Sequence, residues 1–241
     1  HALDDDRVLT QVVLRALAAV AGQPPPARAA SRRALWETHG VSSDLVSSTC
    51  LTLGLRPAGE DPLSRRLRQA AQAGDPVHVT AWDLRRWAGT SAPCSSPSVG
   101  PVETSVLVCE NPRVLEAVAE RFAGRFPVAC TAGEPNTVVA GVLGRLAGAG
   151  RPLCYHGDFD WPGVAIANRM VARFGVRPWL MGAEQYDAGL RPGCPVLYGA
   201  EVEPVWDAEL GAAMRRAGRA VHEESVIESI LASLASSPPY G

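Results

Sequence analysis

Short, uninterrupted apolar segments alternate with amphipathic segments along the second half of the chain. The apolar segments are predicted strands, at 105–109, 127–131, 153–156 and 178–181. The segments between them have helical periodicity, over 111–122, 136–147 and 161–174. Strands without polar alternation are buried on both faces, as in a parallel sheet covered by helices. We therefore expect an α/β fold, a Rossmann-like and mostly parallel sheet with helices on both faces.

The first half of the chain lacks this alternation. Helices are predicted over 7–21, 29–39 and 62–73, with an extended segment at 45–55 and a strand at 76–80. The stretch 89–101 is rich in Ser, Pro and Gly, a composition typical of linkers. We expect residues 1–104 to form a separate, mainly helical lobe that contacts DNA or a partner. A winged-helix-like element is expected around 61–87, where a helix, a strand and a short helix follow one another. Residues 105–241 would form the α/β domain.

All 23 basic residues are Arg, and the chain contains no Lys. This excludes Schiff-base chemistry and a Walker-A phosphate site. The net charge of −2 provides no global positive field, so any contact with nucleic acid has to rest on local Arg clusters. Residues 7–104 hold 11 Arg and 7 acids, whereas residues 105–241 hold 12 Arg and 15 acids. The expected DNA-contacting residues are Arg65, Arg66, Arg68, Arg85 and Arg86, with solvated helix faces as the alternative interpretation.

The six Cys residues never form a C-x-x-C pair, which argues against a zinc ribbon or a redox dithiol. Cys109, Cys130 and Cys154 fall within apolar strands, where Cys behaves as a small hydrophobic residue. We expect reduced thiols in a cytoplasmic protein. No apolar run reaches the length of a membrane span, and no signal peptide precedes the acidic opening of the chain, so no membrane partner is expected.

Acidic residues directly follow two of the predicted strands. Glu110 follows the first apolar strand, and Asp158 and Asp160 follow the third. Parallel sheets bind ligands beyond the carboxyl ends of their strands, and residues two apart in an extended segment project to the same side. Crowded carboxylates repel each other unless a cation or a proton intervenes, and oxygen ligands suit Mg²⁺ or Mn²⁺. The pattern predicts a divalent-metal site, although Asp160 is alternatively the N-cap of the next helix.

Two segments carry a family resemblance. VLVCENPRVLEAV, followed about fifty residues later by YHGDFDWPGVAIAN, resembles the Toprim metal-binding fold of primases, topoisomerases, OLD-family nucleases and the topoisomerase VI A subunit. More narrowly, YHGDFDWPGVAIANRM, PWLMGAEQY and VHEESVIESIL resemble the C-terminal domain of the JetD-like proteins of bacterial Wadjet plasmid-defence systems. The resemblance covers residues 105–241 well and residues 1–104 loosely.

This resemblance implies Mg²⁺ or Mn²⁺ bound by Glu110, Asp158, Asp160 and Glu223, the first three being also catalytic. It implies DNA and the subunits of a condensin-like (SMC/kleisin-type) defence complex as partners, and it admits a homodimer. In the alternative interpretation, Glu223 and Glu224 form only the acidic first turn of the last helix.

Two histidines lie beside these acids in the sequence. His222 precedes Glu223 and either orients an acid or a water, or is a half-buried strand residue. His156, two residues before Asp158, either shares its face and reaches substrate or is structural.

The positions of the tyrosines decide between two cleavage mechanisms. Topoisomerases of this fold family cleave DNA through a Tyr on a domain that precedes the Toprim domain, and residues 1–104 contain no Tyr. Water activated by a metal ion is therefore the expected nucleophile. The expected function is a metal-dependent DNA endonuclease subunit of an anti-plasmid or anti-phage defence system.

Two other functions stay open. One is a non-catalytic DNA-binding or assembly module with a degenerate Toprim fold. The other is a haloacid-type phosphatase with Asp158 as nucleophile, against which count the missing Lys and the presence of Pro162 where that family has Thr or Val.

Overall fold

The computed structural model describes residues 8–20, 25–26, 31–32, 35–36, 45–87 and 105–236. The chain divides into two units, residues 1–48 and 49–241. In the first unit, helix α1 (Val8–Val20) buries one apolar face. Its side chains and two from the helical residues 35–36 form a small cluster of buried Leu14, Ala18, Leu35 and Trp36.

The described part of the second unit contains six strands and eight helices. The strands are β1 (Thr49–Leu53), β2 (Val77–Thr80), β3 (Val106–Cys109), β4 (Val128–Cys130), β5 (Leu153–His156) and β6 (Arg177–Pro178). The helices are α2 (Pro62–Ala73), α3 (Ala81–Arg86), α4 (Pro112–Phe122), α5 (Thr137–Gly148), α6 (Trp161–Phe174), α7 (Ala183–Gly189), α8 (Ala208–Ala217) and α9 (Ile227–Ser236). Two 3-10 turns cover Ala123–Arg125 and Glu223–Val226.

The six strands form one sheet in the order β2-β1-β4-β3-β5-β6. Strands β4, β3, β5 and β6 are parallel, while β1 pairs antiparallel with β4 and with β2. Cys109 of β3 lies level with Cys130 of β4 and with His156 of β5. The three central strands therefore end together, and Glu110 stands just beyond them. The predicted α/β fold with a mostly parallel sheet is confirmed.

The order of the parallel strands creates a crevice at the carboxyl edge. From β3 the chain passes to β4 on one side, and from β4 it crosses to β5 on the other side of β3. Because such crossovers are right-handed, the helix of the first connection, α4, and the helix of the second, α5, lie on opposite faces of the sheet. The strand order thus reverses between β3 and β5, where open α/β sheets bind ligands.

The helices that follow β3, β4 and β5 each begin at a capping side chain. The side chains of Asn111, Asn136 and Asp160 accept hydrogen bonds from N–H groups of the first turns of α4, α5 and α6. A proline stands in the first turn of α4 and of α6, where the absence of an N–H costs nothing. The chain consequently turns at the carboxyl edge within a few residues of each strand.

The predicted division at residue 104 does not match this arrangement. Strands β1 and β2 belong to the same sheet as β3 to β6, and the division between units falls after Ser48. Without β1, strand β4 would have an unpaired edge. The antiparallel β1 pairs with that edge and covers it. The expected order of helix, strand and short helix over 61–87 is present, with its strand in the main sheet. The predicted linker 89–101 lies outside the described residues.

The cysteine side chains and the lengths of the helices relate to the expectations of reduced thiols and of no membrane span. Cys50, Cys109, Cys130, Cys154 and Cys194 form no disulfide bond among the described residues, and the first four are buried. Within the described ranges, no helix has both the length and the apolar character that crossing a membrane would require.

Candidate metal centre

Three side chains at the carboxyl edge bring potential metal ligands together. One ligand atom each of Asp158, Asp160 and His222 lies within 4.8 Å of the other two. Asp160 is buried, while Asp158 and His222 are partly exposed. Two carboxylates and an imidazole nitrogen thus face one point at the mouth of the crevice.

A short antiparallel pairing places His222 opposite the two aspartates. The backbone N–H of Phe159 donates to the carbonyl of Val221 at 2.9 Å, and the N–H of Val221 donates back at 3.2 Å. Cross-strand neighbours of such a pair share a face, which sets His222 against Asp158. The segment after β5 and the segment before the last helix, far apart in sequence, therefore build one site.

Glu110 stands next to this group, at the end of β3. The hydroxyl of Tyr155 donates to its Oε2 at 3.3 Å. Burial, together with the negative charges of Asp158 and Glu223, raises the pKa of Glu110 to about 7. Burial also raises the pKa of Asp158, against a hydrogen bond from the backbone of Glu223 that lowers it. The site thus concentrates negative charge that it only partly neutralises by itself.

Glu223 is fully buried and makes hydrogen bonds with both of its oxygens. Oε2 accepts the backbone N–H groups of Glu110 at 3.0 Å and Asn111 at 2.5 Å. Oε1 lies 3.0 Å from Nδ1 of the buried His156. Burial raises the pKa of Glu223, while His156 and the Asn111 N–H lower it. The exposed fraction of Glu223 is 0%, and both of its carboxylate oxygens have protein partners. Glu223 therefore supports the site, and its oxygens are not directed at a metal ion.

The predicted ligand role of Glu223 is therefore corrected to a positioning role. Its carboxylate holds the end of β3, and its own backbone N–H donates to Oδ1 of Asp158 at 2.7 Å. The neighbouring Glu224 is exposed and accepts a hydrogen bond from the side chain of Asn111 at 2.7 Å. Both glutamates lie in the 3-10 turn Glu223–Val226, which directly precedes the last helix α9.

Two glycines let the acidic residues approach the backbone. A Cβ on Gly157 would lie 2.9 Å from Oε2 of Glu110 and 2.7 Å from the hydroxyl of Tyr155. A Cβ on Gly163 would lie 2.3 Å from the carbonyl oxygen of Asp158. The G-D-x-D-x-x-G pattern in the sequence thus has a steric cause, because both glycines border the carboxylates.

An exposed tyrosine borders the site from a different loop. The hydroxyl of Tyr198 makes a hydrogen bond to Asp160, which raises the pKa of the tyrosine. Next to it, Gly199 has φ +92° and packs so closely that a Cβ would lie 3.0 Å from Pro162 at the start of α6. The Leu197 N–H also donates to the Gly218 carbonyl at 3.0 Å, so this loop is fixed beside the site.

The five predicted DNA-contacting arginines lie on two neighbouring helices, with Arg65, Arg66 and Arg68 on α2 and with Arg85 and Arg86 on α3. Arg66 pairs with Asp83 at 2.9 Å and so connects the two helices. Arg68 donates to the carbonyls of Pro57 and Gly59, so its guanidinium serves the local fold. The remaining three arginines are exposed.

The structure brings together most of the predicted site and adds to it. Glu110, Asp158 and Asp160 meet at one edge, as their positions after two strands suggested. The sequence did not identify His222 as a potential ligand or Tyr198 as a neighbour of Asp160. His222 stood next to the acidic motif, which was a usable signal, whereas nothing in the sequence around Tyr198 marked it.

The donor set fits a divalent cation. Carboxylate oxygens and an imidazole nitrogen are ligands of first-row divalent metals, and partial exposure leaves room for water or substrate. Asp158, Asp160 and His222 would hold the ion. Glu110 lies beside Asp158, and its ligand role stays a prediction. A positive ion would also relieve the repulsion that raises the pKa of Glu110.

Two family profiles match the chain. The profile described as "Protein of unknown function C-terminus (DUF2399)" matches residues 77–234, and that described as "Protein of unknown function N-terminus (DUF3323)" matches residues 1–57. The first match includes every residue of the candidate metal centre. No curated protein matches the chain.

Proposed function

Because the chain belongs to the family described as "Protein of unknown function C-terminus (DUF2399)", a description that assigns no activity, we propose its function from the site itself. The protein is a divalent-metal-dependent DNA endonuclease that uses water as its nucleophile. The observation that carries this proposal is the convergence of Asp158, Asp160 and His222, with Glu110 beside them, at the switch point of a parallel sheet.

The proposal includes a Toprim-type domain. Its support is that an acid follows the first parallel strand, β3, and that two aspartates follow the third, β5. These strands are direct neighbours in the sheet, so the two motifs meet across the crevice. The resemblance of the same segments to Toprim proteins motivates the choice of a phosphodiester as substrate.

Each side chain has a proposed task in the hydrolysis. Asp158 and Asp160 hold the cation, and Glu223 keeps Asp158 and the end of β3 in place. When bound, a divalent cation supplies Lewis-acid chemistry that neutralises phosphate charge and makes water reactive at neutral pH. Glu110 lies beside the proposed ligands, and its proposed task is to exchange a proton with water or with the leaving oxygen. Without the ion, burial and the neighbouring negative charges raise its pKa to about 7.

Tyr198 is not assigned the role of nucleophile. It is the exposed tyrosine beside the site, with an exposed fraction of 54%. Its hydrogen bond to Asp160 raises its pKa, which keeps the phenol protonated and weakly nucleophilic near neutral pH. Cleavage is accordingly proposed to proceed without a covalent protein–DNA link.

DNA is proposed to contact the exposed arginines of α2 and α3. Arg65, Arg85 and Arg86 are exposed, and phosphate contacts of this kind position a duplex without reading its sequence. The winged-helix-like role expected for residues 61–87 is part of this proposal. The proposal also includes a cytoplasmic location. It further includes a role as a subunit of a condensin-like defence complex that delivers the DNA.

The proposal is tested with the full chain and supercoiled plasmid. We expect nicking or linearisation when Mg²⁺ or Mn²⁺ is added, loss of cleavage with EDTA, and loss in the Asp158→Asn variant. Asparagine retains the oxygen that accepts the Glu223 N–H, so the variant should fold as the wild type does. Asp75→Asn, an exposed acid on the turn before β2, is the matched control.

Three results separate the alternatives. Cleavage that survives in Asp158→Asn would contradict the assigned site. A covalent DNA adduct that disappears in Tyr198→Phe would replace water by the tyrosine as nucleophile. DNA binding without cleavage under any metal condition would favour the non-catalytic module.

A further inference from the structure

We propose that His222 is a direct metal ligand and that the site is therefore selective for Mn²⁺ over Mg²⁺, an inference that rests on the proposed metal-dependent function. The resemblance to Toprim proteins placed only carboxylates in the site. A nitrogen ligand changes the class of metal that the site takes.

The geometry places His222 with the two aspartates rather than with the supporting residues. A ring nitrogen and one oxygen each from Asp158 and Asp160 lie within 4.8 Å of one another. Glu110 and Glu223 are not members of this group. Three ligand atoms at such separations can share one cation after small rotations of their side chains.

Among the described residues, the ring of His222 makes no hydrogen bond, and it interacts electrostatically with Asp158, which belongs to the same group of potential ligands. The backbone carbonyl of His222 accepts hydrogen bonds from the N–H and the hydroxyl of Ser225, but no hydrogen bond to the imidazole is found. The contrast with His156 is direct, because Nδ1 of that buried ring is committed to Glu223. The nitrogens of His222 are thus available to a ligand.

The backbone on either side of His222 is fixed, so the ring is presented rather than free on the surface. Before it, Val221 is paired in both directions with Phe159. After it, the Glu223 N–H is bonded to Asp158, and the Glu223 carboxylate is bonded to the end of β3. Presentation by a rigid backbone lowers the entropy lost when a metal ion is bound.

The donor chemistry then decides between metals. Mg²⁺ takes oxygen ligands in octahedral geometry and keeps several waters. Imidazole nitrogen suits the transition metals, and affinity for mixed sites rises from Mn²⁺ along the first row. Two carboxylates with one imidazole therefore favour Mn²⁺, or a heavier transition metal, over Mg²⁺.

The test measures metal binding on the full chain without DNA. Mn²⁺ is titrated and its free fraction followed by EPR, with Mg²⁺ as competitor, for the wild type and for His222→Gln. His78→Gln, an exposed histidine on β2, is the matched control. We expect the preference for Mn²⁺ over Mg²⁺ to fall about 10-fold or more in His222→Gln and to stay unchanged in His78→Gln.

Pulsed EPR supplies a signature that a merely structural role would not produce. Bound Mn²⁺ should show modulation from a directly coordinated imidazole nitrogen in the wild type, and His222→Gln should lose it. Mn²⁺ that binds without nitrogen modulation would overturn the ligand role of His222 and leave the carboxylate site standing. A wild type that binds neither metal would overturn the proposed function itself. Because the wild-type signal decides the matter, a variant that fails to fold does not affect the outcome.

Discussion

The backbone N–H of Glu223 donates a 2.7 Å hydrogen bond to Oδ1 of Asp158, while the side chain of the same glutamate accepts the backbone N–H groups of Glu110 and Asn111. One residue thus connects the ends of β3 and β5 through its main chain and its side chain together. The two acids expected to work at the site are held at a fixed separation by a third acid that is not exposed.

Removal of the Glu223 carboxylate should cost much more stability than removal of an acid that faces the crevice. Glu223→Ala would leave two backbone N–H groups and the buried His156 without their acceptor. We expect a loss of about 3–5 kcal/mol in the free energy of unfolding, measured by urea denaturation. Asp158→Ala should cost far less, because it relieves repulsion. Equal losses in the two variants would contradict the supporting role of Glu223.

Asp160 has two functions that different substitutions separate. Its Oδ1 accepts the N–H of Gly163 at 2.7 Å as the cap of α6, and it belongs to the group of potential ligands. Asp160→Asn keeps a capping oxygen but removes the charge, so we expect weak metal binding and nearly unchanged stability. Asp160→Ala also removes the capping oxygen, so its free energy of unfolding should fall by about 1 kcal/mol more. Calorimetric metal titration and thermal unfolding of both variants measure the two effects, and unimpaired metal binding by Asp160→Asn would contradict the ligand role.

The stability of the metal-free protein should fall as pH rises toward neutrality. The pKa of Glu110 is raised from its ordinary 4.5 to about 7 in the folded chain, so between these values the folded state binds more protons than the unfolded state. Stability is then greatest at the acidic end of this interval and is lost as pH rises through it. The raised pKa of Asp158 acts in the same direction.

Urea midpoints in EDTA, from about pH 5 to about pH 7, measure this dependence. Glu110→Gln should flatten it, because the amide carries no charge at either end. If the variant has the same pH dependence as the wild type, other groups are responsible.

Two helical glycines should respond to alanine in opposite ways. A Cβ on Gly163 would lie 2.3 Å from the carbonyl oxygen of Asp158, so Gly163→Ala must displace the backbone that carries the site. We expect a loss of about 1–3 kcal/mol in stability and weaker metal binding. Gly144 in α5 has open space around the Cβ position, and Gly144→Ala should gain about 0.5–1 kcal/mol. Thermal unfolding of the pair provides the comparison, and a neutral Gly163→Ala would contradict the close approach.

Charge reversal of the exposed arginines should change the salt dependence of DNA binding. Arg65→Glu, Arg85→Glu and Arg86→Glu together remove phosphate contacts, so fewer counterions are released on binding and the slope of log affinity against log salt becomes shallower. Fluorescence anisotropy with a DNA duplex at several salt concentrations measures the slope. Arg68→Ala is the control, because Arg68 is only partly exposed and donates to two carbonyls of its own chain. An unchanged slope in the triple variant would move the DNA surface elsewhere.

Local patterns predicted the parts of this fold that depend on local information. Unbroken apolar runs identified β3, β4 and β5, and the positions of Glu110, Asp158 and Asp160 after them followed from those strands. The partner of an edge strand is not encoded locally, so the pairing of β1 with β4 could not be foreseen and the domain boundary was wrong. Helix α7 was missed because its seven residues are too short for a clear helical period.

The roles of Glu223 and His222 were also beyond local patterns. An acid that begins a helical turn has the same sequence signature whether it is exposed or buried. The burial of Glu223 results from contacts with residues of β3 and β5 that are remote in sequence. The place of His222 likewise depends on the pairing of Val221 with Phe159. Such long-range pairings become visible only in three dimensions.

Glu110 and Glu223 lie 113 positions apart in the sequence, which has a consequence for the timing of assembly. During synthesis, β3 and β5 leave the ribosome well before the segment that carries His222 and Glu223. A nascent chain therefore holds Glu110 and Asp158 before it holds the residue that fixes their spacing. Ribosome-bound chains would carry the acids of the candidate metal centre without their final arrangement, and metal binding would begin only when the last helical segment has docked.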